Sequence, residues 1–197
     1  MENELSSLHA FMQQLVDLND EAWSDMQQRL TKRAYKKRDA FINEGKVCKE
    51  IAFVTIGAFR YYKLIDGIEV TTYFSFENNW VSAYTSFLQQ APSYITVEAI
   101  EDAEVFVLNY DDMQYLYNHH PIFERFGRLI AEYLVTCLDE RMHSLLLKTP
   151  EERYLKTLTD NSEYFERVPQ HYIASYLGVA PESLSRIRKR ITHKPIS

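Results

Sequence analysis

Apolar positions follow three rhythms in succession along the chain. Leu5, Leu8, Phe11, Met12 and Leu15 recur near helical spacing, which predicts helix over residues 5–30. From about Tyr35 to Tyr110 the texture turns to β-branched and aromatic residues. "IAFVTIGAFRYYKL" and "IEVTTYFSF" flank "IDG", where Asp66-Gly67 signals a hairpin turn. "YITVEAI" and "EVFVLNY" read as two further strands around Glu101-Asp102. Several short strands separated by regular turns predict a β-roll or small barrel. After Asp111 the helical rhythm returns, broken near Pro121 because proline removes a helical N–H. From Phe123 to about Leu147 the helix runs on for about six to seven turns. Thr149-Pro150 ends it, and Pro150 suits the first turn of the next helix, "PEERYLKTL".

Phe126, Leu129, Ile130, Tyr133, Leu134, Cys137 and Leu138 form one stripe on that long helix. A helix of this length between two domains commonly supplies a dimer seam. Packing on its own roll would use the same stripe, and the sequence leaves both readings open.

The stretch "HYIASYLGVAPESLSRIRKR" carries the most specific local pattern. Ile173, Ala174 and Leu177 form the inward face of one short helix. Gly178 supplies a tight turn where positive φ costs little, and Val179 plugs the corner. Pro181 opens a second helix at the position where a missing N–H does no harm. Leu184, Ile187 and Ile191 pack inward, while Glu182, Ser183, Ser185, Arg186, Lys189 and Arg190 share the other face. This is a helix-turn-helix pattern. Such a second helix fits the major groove of DNA, where Arg reads guanine and Glu accepts from cytosine.

Charge sharpens that picture. The chain of 197 residues has formal net charge -6. Residues 148–197 hold 9 Lys and Arg against 6 Asp and Glu, a local +3, and the remainder carries -9. From Pro181 onward five cations stand against Glu182 alone. A charged helix is most often just solvated, but a basic patch on an otherwise acidic chain also suits phosphate. Two cysteines, Cys48 and Cys137, fit a reducing compartment and exclude a disulfide scaffold. The N-terminus lacks the cationic start and apolar block of a signal peptide. No apolar run reaches the roughly 20 residues needed to cross a bilayer. The expected location is cytoplasmic, with no membrane partner.

The sequence resembles the CRP/FNR family of bacterial transcription regulators over nearly its whole length. The matching pieces are "FINEG", "IGAFRYY", "DG", "TVEAIEDAEVFVL", "TPEERYLKTL" and "IASYLGVAPESLSRIRK". The resemblance implies an α+β fold: an N-terminal jelly-roll-like β-roll, a long dimerisation helix and a C-terminal winged helix-turn-helix. The expected domains are residues 1–112 for the N-terminal helix and sensor roll, 113–147 for the dimer helix, and 148–197 for the DNA-binding domain. "ESLSR" fits the E-x-x-S-R pattern of the FNR branch, which places Glu182, Ser185 and Arg186 as base readers. Gln170, His171, Ser183, Arg188 and Lys189 match phosphate-contacting or flanking positions. Pro181 stands where the cyclic-AMP receptor branch has an arginine, so one base contact of that branch should be absent. The implied partners are double-stranded DNA with an inverted-repeat site, a second copy of the chain and RNA polymerase. The implied dimer helix carries Phe126, Leu129, Ile130, Tyr133 and Cys137.

The cyclic-nucleotide cassette of that family departs in this chain. The family pattern resembles F-G-E-L…P-R-S-A, whose glutamate binds the ribose and whose arginine binds the phosphate. Here the segment reads "WVSAYTSFLQQAPSYITVEA". Val81 replaces the glycine, Ser82 the glutamate and Ser93 the arginine. A buried phosphodiester without a cation is expensive, so cyclic AMP and cyclic GMP should not be ligands. Trp80, Val81, Ser82, Ser93 and Tyr94 then line a degenerate effector pocket whose ligand is unknown. Aromatic residues crowd this region: Tyr73, Phe74, Phe76, Trp80, Tyr84, Phe87 and Tyr94. Barrel core is the first reading, since such residues are usually buried; an apolar pocket for a small ligand is the alternative.

No cofactor is expected. An FNR-type iron–sulfur cluster needs four cysteines. A cupin-like enzyme, the competing class, needs clustered histidines, and none lies between Ala10 and Asn118. His119-His120 beside Pro121 cannot complete a tetrahedral metal site. Cys48 is either a redox sensor or an inert core thiol. A protein-interaction module that binds no DNA remains a further alternative, and the reading overall is of a non-enzyme.

Overall fold

The computed structural model describes residues 5–192. Two helices open the chain, α1 (Ser6–Gln13) and α2 (Asp20–Arg29). The single helical segment expected over 5–30 is therefore two. The reason is local: Asn19 is extended, and its side chain accepts the Ala22 N–H at 2.8 Å, which caps a new helix.

Among the described residues the roll comprises eight strands in two four-stranded sheets. They are β1 (Thr31–Tyr35), β2 (Ala40–Ile42), β3 (Glu50–Ile56), β4 (Phe59–Ile65), β5 (Ile68–Ser75), β6 (Trp80–Val81), β7 (Thr96–Ala99) and β8 (Ala103–Asn109). One sheet has the order β1-β8-β3-β6 and the other β2-β7-β4-β5. Antiparallel registers such as Phe53↔Phe106 and Arg60↔Glu98 fix which side chains share a face. Residues 51–54 are buried on both faces, which explains their unbroken apolar run. Their helix-side face meets α1, with the Phe11 and Phe53 rings 5.5 Å apart. A short helix, α3 (Tyr84–Gln89), interrupts the cassette segment.

Two turns depend on backbone freedom. Asp66 (φ 49°) and Gly67 (φ 79°) are both left-handed, the geometry of a tight hairpin between β4 and β5. Gly57, at φ 90° between β3 and β4, has room for no side chain. A Cβ there would lie 2.5 Å from the Asp102 carbonyl oxygen.

Next come α4 (Tyr110–His119), capped by Asn109 at 2.8 Å, and the 27-residue α5 (Pro121–Leu147). The remaining helices are α6 (Pro150–Asp160), α7 (Glu163–Arg167), α8 (Gln170–Leu177) and α9 (Pro181–Thr192). Thr149 and Glu152 form a reciprocal capping box at the start of α6, with Pro150 in its first turn. Among the described residues of the expected winged domain, 148–192, the elements are helices, and residues 193–197 lie outside the described ones.

The chain divides into two compact units. Among the described residues, the first holds 5–63 and 73–133, and the second holds 64–72 and 134–192. The tip of the β4–β5 hairpin thus clusters with the C-terminal helices. The core of the second unit is Tyr154, Tyr164, Val168, Ile173, Ala174, Leu177, Leu184 and Ile187. Among the described residues, no helix is long and apolar enough to cross a membrane.

Candidate nucleic-acid interface

The turn between α8 and α9 closes as the glycine pattern predicts. Gly178 adopts φ 67°, its N–H donates to the Ser175 carbonyl at 3.0 Å, and the Val179 N–H donates to Ala174 at 3.0 Å. These two bonds form a Schellman cap. Two arginines hold the last carbonyls of α8. Arg153 is buried, donates from Nε to the Leu177 carbonyl at 2.8 Å, and reaches the Lys148 carbonyl at 2.6 Å. Arg141 donates to the Tyr176 carbonyl and lies over the Tyr176 ring at 3.8 Å. Cations at a helix C-terminus are favoured there by the helix dipole. Neither arginine was singled out by sequence, because the contact joins segments that carry no local signal.

With Leu184 and Ile187 buried, the opposite side of α9 is fixed outward. Glu182, Ser185, Arg186 and Lys189 are all exposed and fall on one face of α9. Arg186 donates to the Ser183 hydroxyl at 3.0 Å across one helical turn. Ser183 and Arg188 are half-buried on the flanks of that face. Arg190 turns toward α6, where it meets Glu151 at 3.2 Å. Gln170 and His171 are exposed in the first turn of α8.

The cassette region is closed on itself. Ser82 is buried, donates from its hydroxyl to the Glu50 carbonyl at 2.9 Å, and gives its N–H to the Tyr61 hydroxyl at 3.4 Å. The Tyr61 hydroxyl also bonds that of Ser75 at 3.0 Å, and burial pushes the phenol up to about 12. Ser93 is buried, and its hydroxyl donates to the Ile95 carbonyl at 2.7 Å while accepting the Ile95 N–H at 3.2 Å. Val81 is fully buried. Arg60 on β4 is wholly buried but is paired with Glu98 at 2.8 Å, so its charge is already countered. Cys48 is buried with its thiol donating to the Glu50 carbonyl at 3.2 Å, a core thiol by geometry.

Two residues named for the effector pocket do not share the burial of Val81, Ser82 and Ser93. Trp80 faces the helical side of its sheet, with ring centroids 5.6 Å from Phe53 and 6.1 Å from Phe126. Tyr94 is exposed. The aromatic crowd is core in part: Phe74, Phe76 and Phe87 are buried, whereas Tyr73, Trp80 and Tyr84 are half-buried.

Residues 32–120 match the family model of the cyclic nucleotide-binding domain. Among curated proteins no sequence matches the chain. Solved structures do. FixK2 from Bradyrhizobium japonicum superposes with a TM-score of 0.70 at 22% identity, covering 83% of this chain and 84% of that one. The c-di-GMP-responsive global regulator CLP from Xanthomonas campestris gives 0.68 at 16% identity, covering 88% and 92%. A protein assigned to the Crp/Fnr family of transcriptional regulators from Eubacterium rectale gives 0.68 at 18% identity, covering 89% and 84%. The chain has the CRP/FNR fold.

Within that CRP/FNR fold the long helix α5 shows two different faces. Phe126 and Ile130 are 8% and 9% exposed and line an apolar cavity together with Met12, Ile51, Leu108 and Leu116 of the first unit. Leu129 and Cys137 are half-buried and Tyr133 is exposed. Phe126 and Ile130 therefore serve the core of the first unit. Further along, Val135, Leu138, Met142 and Leu145 are 66, 66, 50 and 43% exposed. Their alternating spacing of three and four is that of a coiled-coil seam.

Proposed function

We propose that the protein is a homodimeric, sequence-specific DNA-binding transcription regulator whose roll does not answer to cyclic AMP or cyclic GMP. The observation that carries the reading is the outward face of α9, where Glu182, Ser185, Arg186 and Lys189 stand together. That face suits a major groove: Arg186 to guanine, Glu182 to cytosine, Ser185 to either, and Lys189 to phosphate. Gln170, His171, Ser183 and Arg188 flank it as phosphate contacts. The resemblance in "ESLSR" and the shared fold with the Crp/Fnr protein support the same assignment.

The second copy pairs along Val135, Leu138, Met142 and Leu145, an exposed apolar stripe that water would otherwise cover. Two-fold symmetry then makes the DNA site an inverted repeat with half-sites about 34 Å apart. For the roll, the closed serines and the Arg60–Glu98 pair leave a phosphodiester without a cation to meet it. RNA polymerase is a further partner in this reading, and the protein acts by binding rather than by catalysis. The test is selection from random duplexes with the purified protein. Enrichment of one inverted repeat supports the reading, and recovery of unbiased DNA or none refutes it.

A further inference from the structure

The hydroxyl of Ser175 on α8 makes two bonds to the tip of the β4–β5 hairpin. Its oxygen accepts the Thr71 N–H at 2.9 Å, and it donates to the Glu69 carbonyl at 3.0 Å. These partners lie 104 and 106 residues away in sequence, yet residues 64–72 belong to the same compact unit as α8. A serine hydroxyl has one proton to give and two lone pairs. Bonding two backbone groups of neighbouring hairpin residues fixes its rotamer, and with it the rotation of α8 about its own axis.

We propose that the hairpin tip is an integral part of the DNA-binding unit and that Ser175 is a positioning residue for the reading helix α9. This proposal rests on the DNA-binding reading above. Three successive residues of α8 are anchored: Ser175 by the hairpin, Tyr176 through its carbonyl by Arg141, and Leu177 through its carbonyl by Arg153. Side chains advance about 100° per residue around a helix. A hydroxyl anchor on the side of α8 and two carbonyl anchors at its end therefore restrain both roll and tilt. The hairpin is a firm support, because Asp66 and Gly67 lock it with two left-handed residues. Since α9 packs on α8, the orientation of the face bearing Glu182, Ser185 and Arg186 follows from that of α8. Residues 64–72, from the middle of the chain, thereby complete a unit whose other members lie beyond residue 133.

Ser175→Ala separates positioning from folding, since alanine is the better helix former. In the full-length protein it removes two modest bonds. It should weaken binding to the selected inverted repeat about 5- to 30-fold while the second unit stays folded at the assay temperature, melting no more than about 10 °C lower. Ser175→Thr keeps the hydroxyl and should retain wild-type affinity. In Ser175→Ala the Thr71 amide should exchange with solvent faster, which reads the joint itself without DNA. Unchanged or tighter DNA binding by Ser175→Ala, or unchanged exchange at Thr71, overturns the proposal. A wild-type protein that binds no DNA overturns the DNA-binding reading instead, a different control in the same titration, and the positioning role falls with it.

Discussion

Replacing Arg153 by methionine should cost more stability than any surface charge of the second unit. The guanidinium is buried and supplies donors to two carbonyls at the ends of different helices, Leu177 at 2.8 Å and Lys148 at 2.6 Å. Charged hydrogen bonds contribute about 1.5–3 kcal/mol each. Methionine fills the volume and regains the desolvation cost of the cation, which offsets part of the loss. What remains is about 2–4 kcal/mol, chiefly two buried acceptors left without their donor. If the two units melt separately, a domain of this size falls about 4–8 °C per kcal/mol, so the second unit should melt roughly 10–25 °C lower. Lys156→Met on the same helix is the control. Its side chain is 38% exposed and its ammonium pairs with Asp160 at 2.6 Å, a surface pair worth about 0–1 kcal/mol. Scanning calorimetry and urea titration of both variants measure the difference. If Arg153→Met loses less than about 0.5 kcal/mol, or no more than Lys156→Met, the clamp on α8 is not an energetic anchor.

Three other outcomes are expected. Calorimetric titration with cyclic AMP or cyclic GMP should show affinity no better than about millimolar; micromolar binding of either would refute the closed cassette. Leu138→Glu with Met142→Glu should give folded monomers by light scattering, whereas Ile130→Glu should unfold the first unit by placing a charge in its core; a folded dimeric double variant would move the seam elsewhere. The Asp25 carboxyl is held below the usual carboxylate range by the hydrogen bond from His120 at 2.9 Å, with Arg29 adding to it. A depressed carboxyl stabilises fully above its unfolded value, about pH 4, and loses that contribution as pH falls through its folded value. Acid titration of stability should therefore be shallower for Asp25→Asn than for wild type below about pH 4, and identical slopes would contradict the linkage.

How far the sequence carried the fold depended on whether each cue was local. Asp66-Gly67 and Gly178 were legible because a left-handed backbone restricts the residues that can stand there. The inward spacing of Leu184, Ile187 and Ile191 fixed the outward face of α9 by periodicity alone. The α5 stripe left two readings open because the helix changes neighbours along its length. Phe126 and Ile130 are buried against the roll, and Leu138 is exposed. The start of the roll was hidden in "TKRAY", since an edge strand can be charged when Lys32 and Arg33 meet Glu104 and Glu50 across it. Trp80 was named for the pocket by setting the cassette segment against the family pattern, which gives a residue's place in the segment but not the face of the sheet it takes. The bonds of Ser175 and Arg153 join distant segments, and one sequence holds no trace of them.

The claim that α9 reads DNA is tested most directly by comparing Arg186→Ala with Lys189→Ala. Both side chains are exposed on one face, but they are assigned different work. The measurement is a binding titration of each variant against the selected site and a scrambled one at several salt concentrations. Arg186→Ala should cost about 1–3 kcal/mol per half-site on the selected DNA and relax preference at one base pair. Lys189→Ala should weaken both DNAs alike and flatten the log–log salt slope by roughly 0.9 for each phosphate that is no longer neutralised. Equal weakening of the two DNAs by Arg186→Ala would contradict the account.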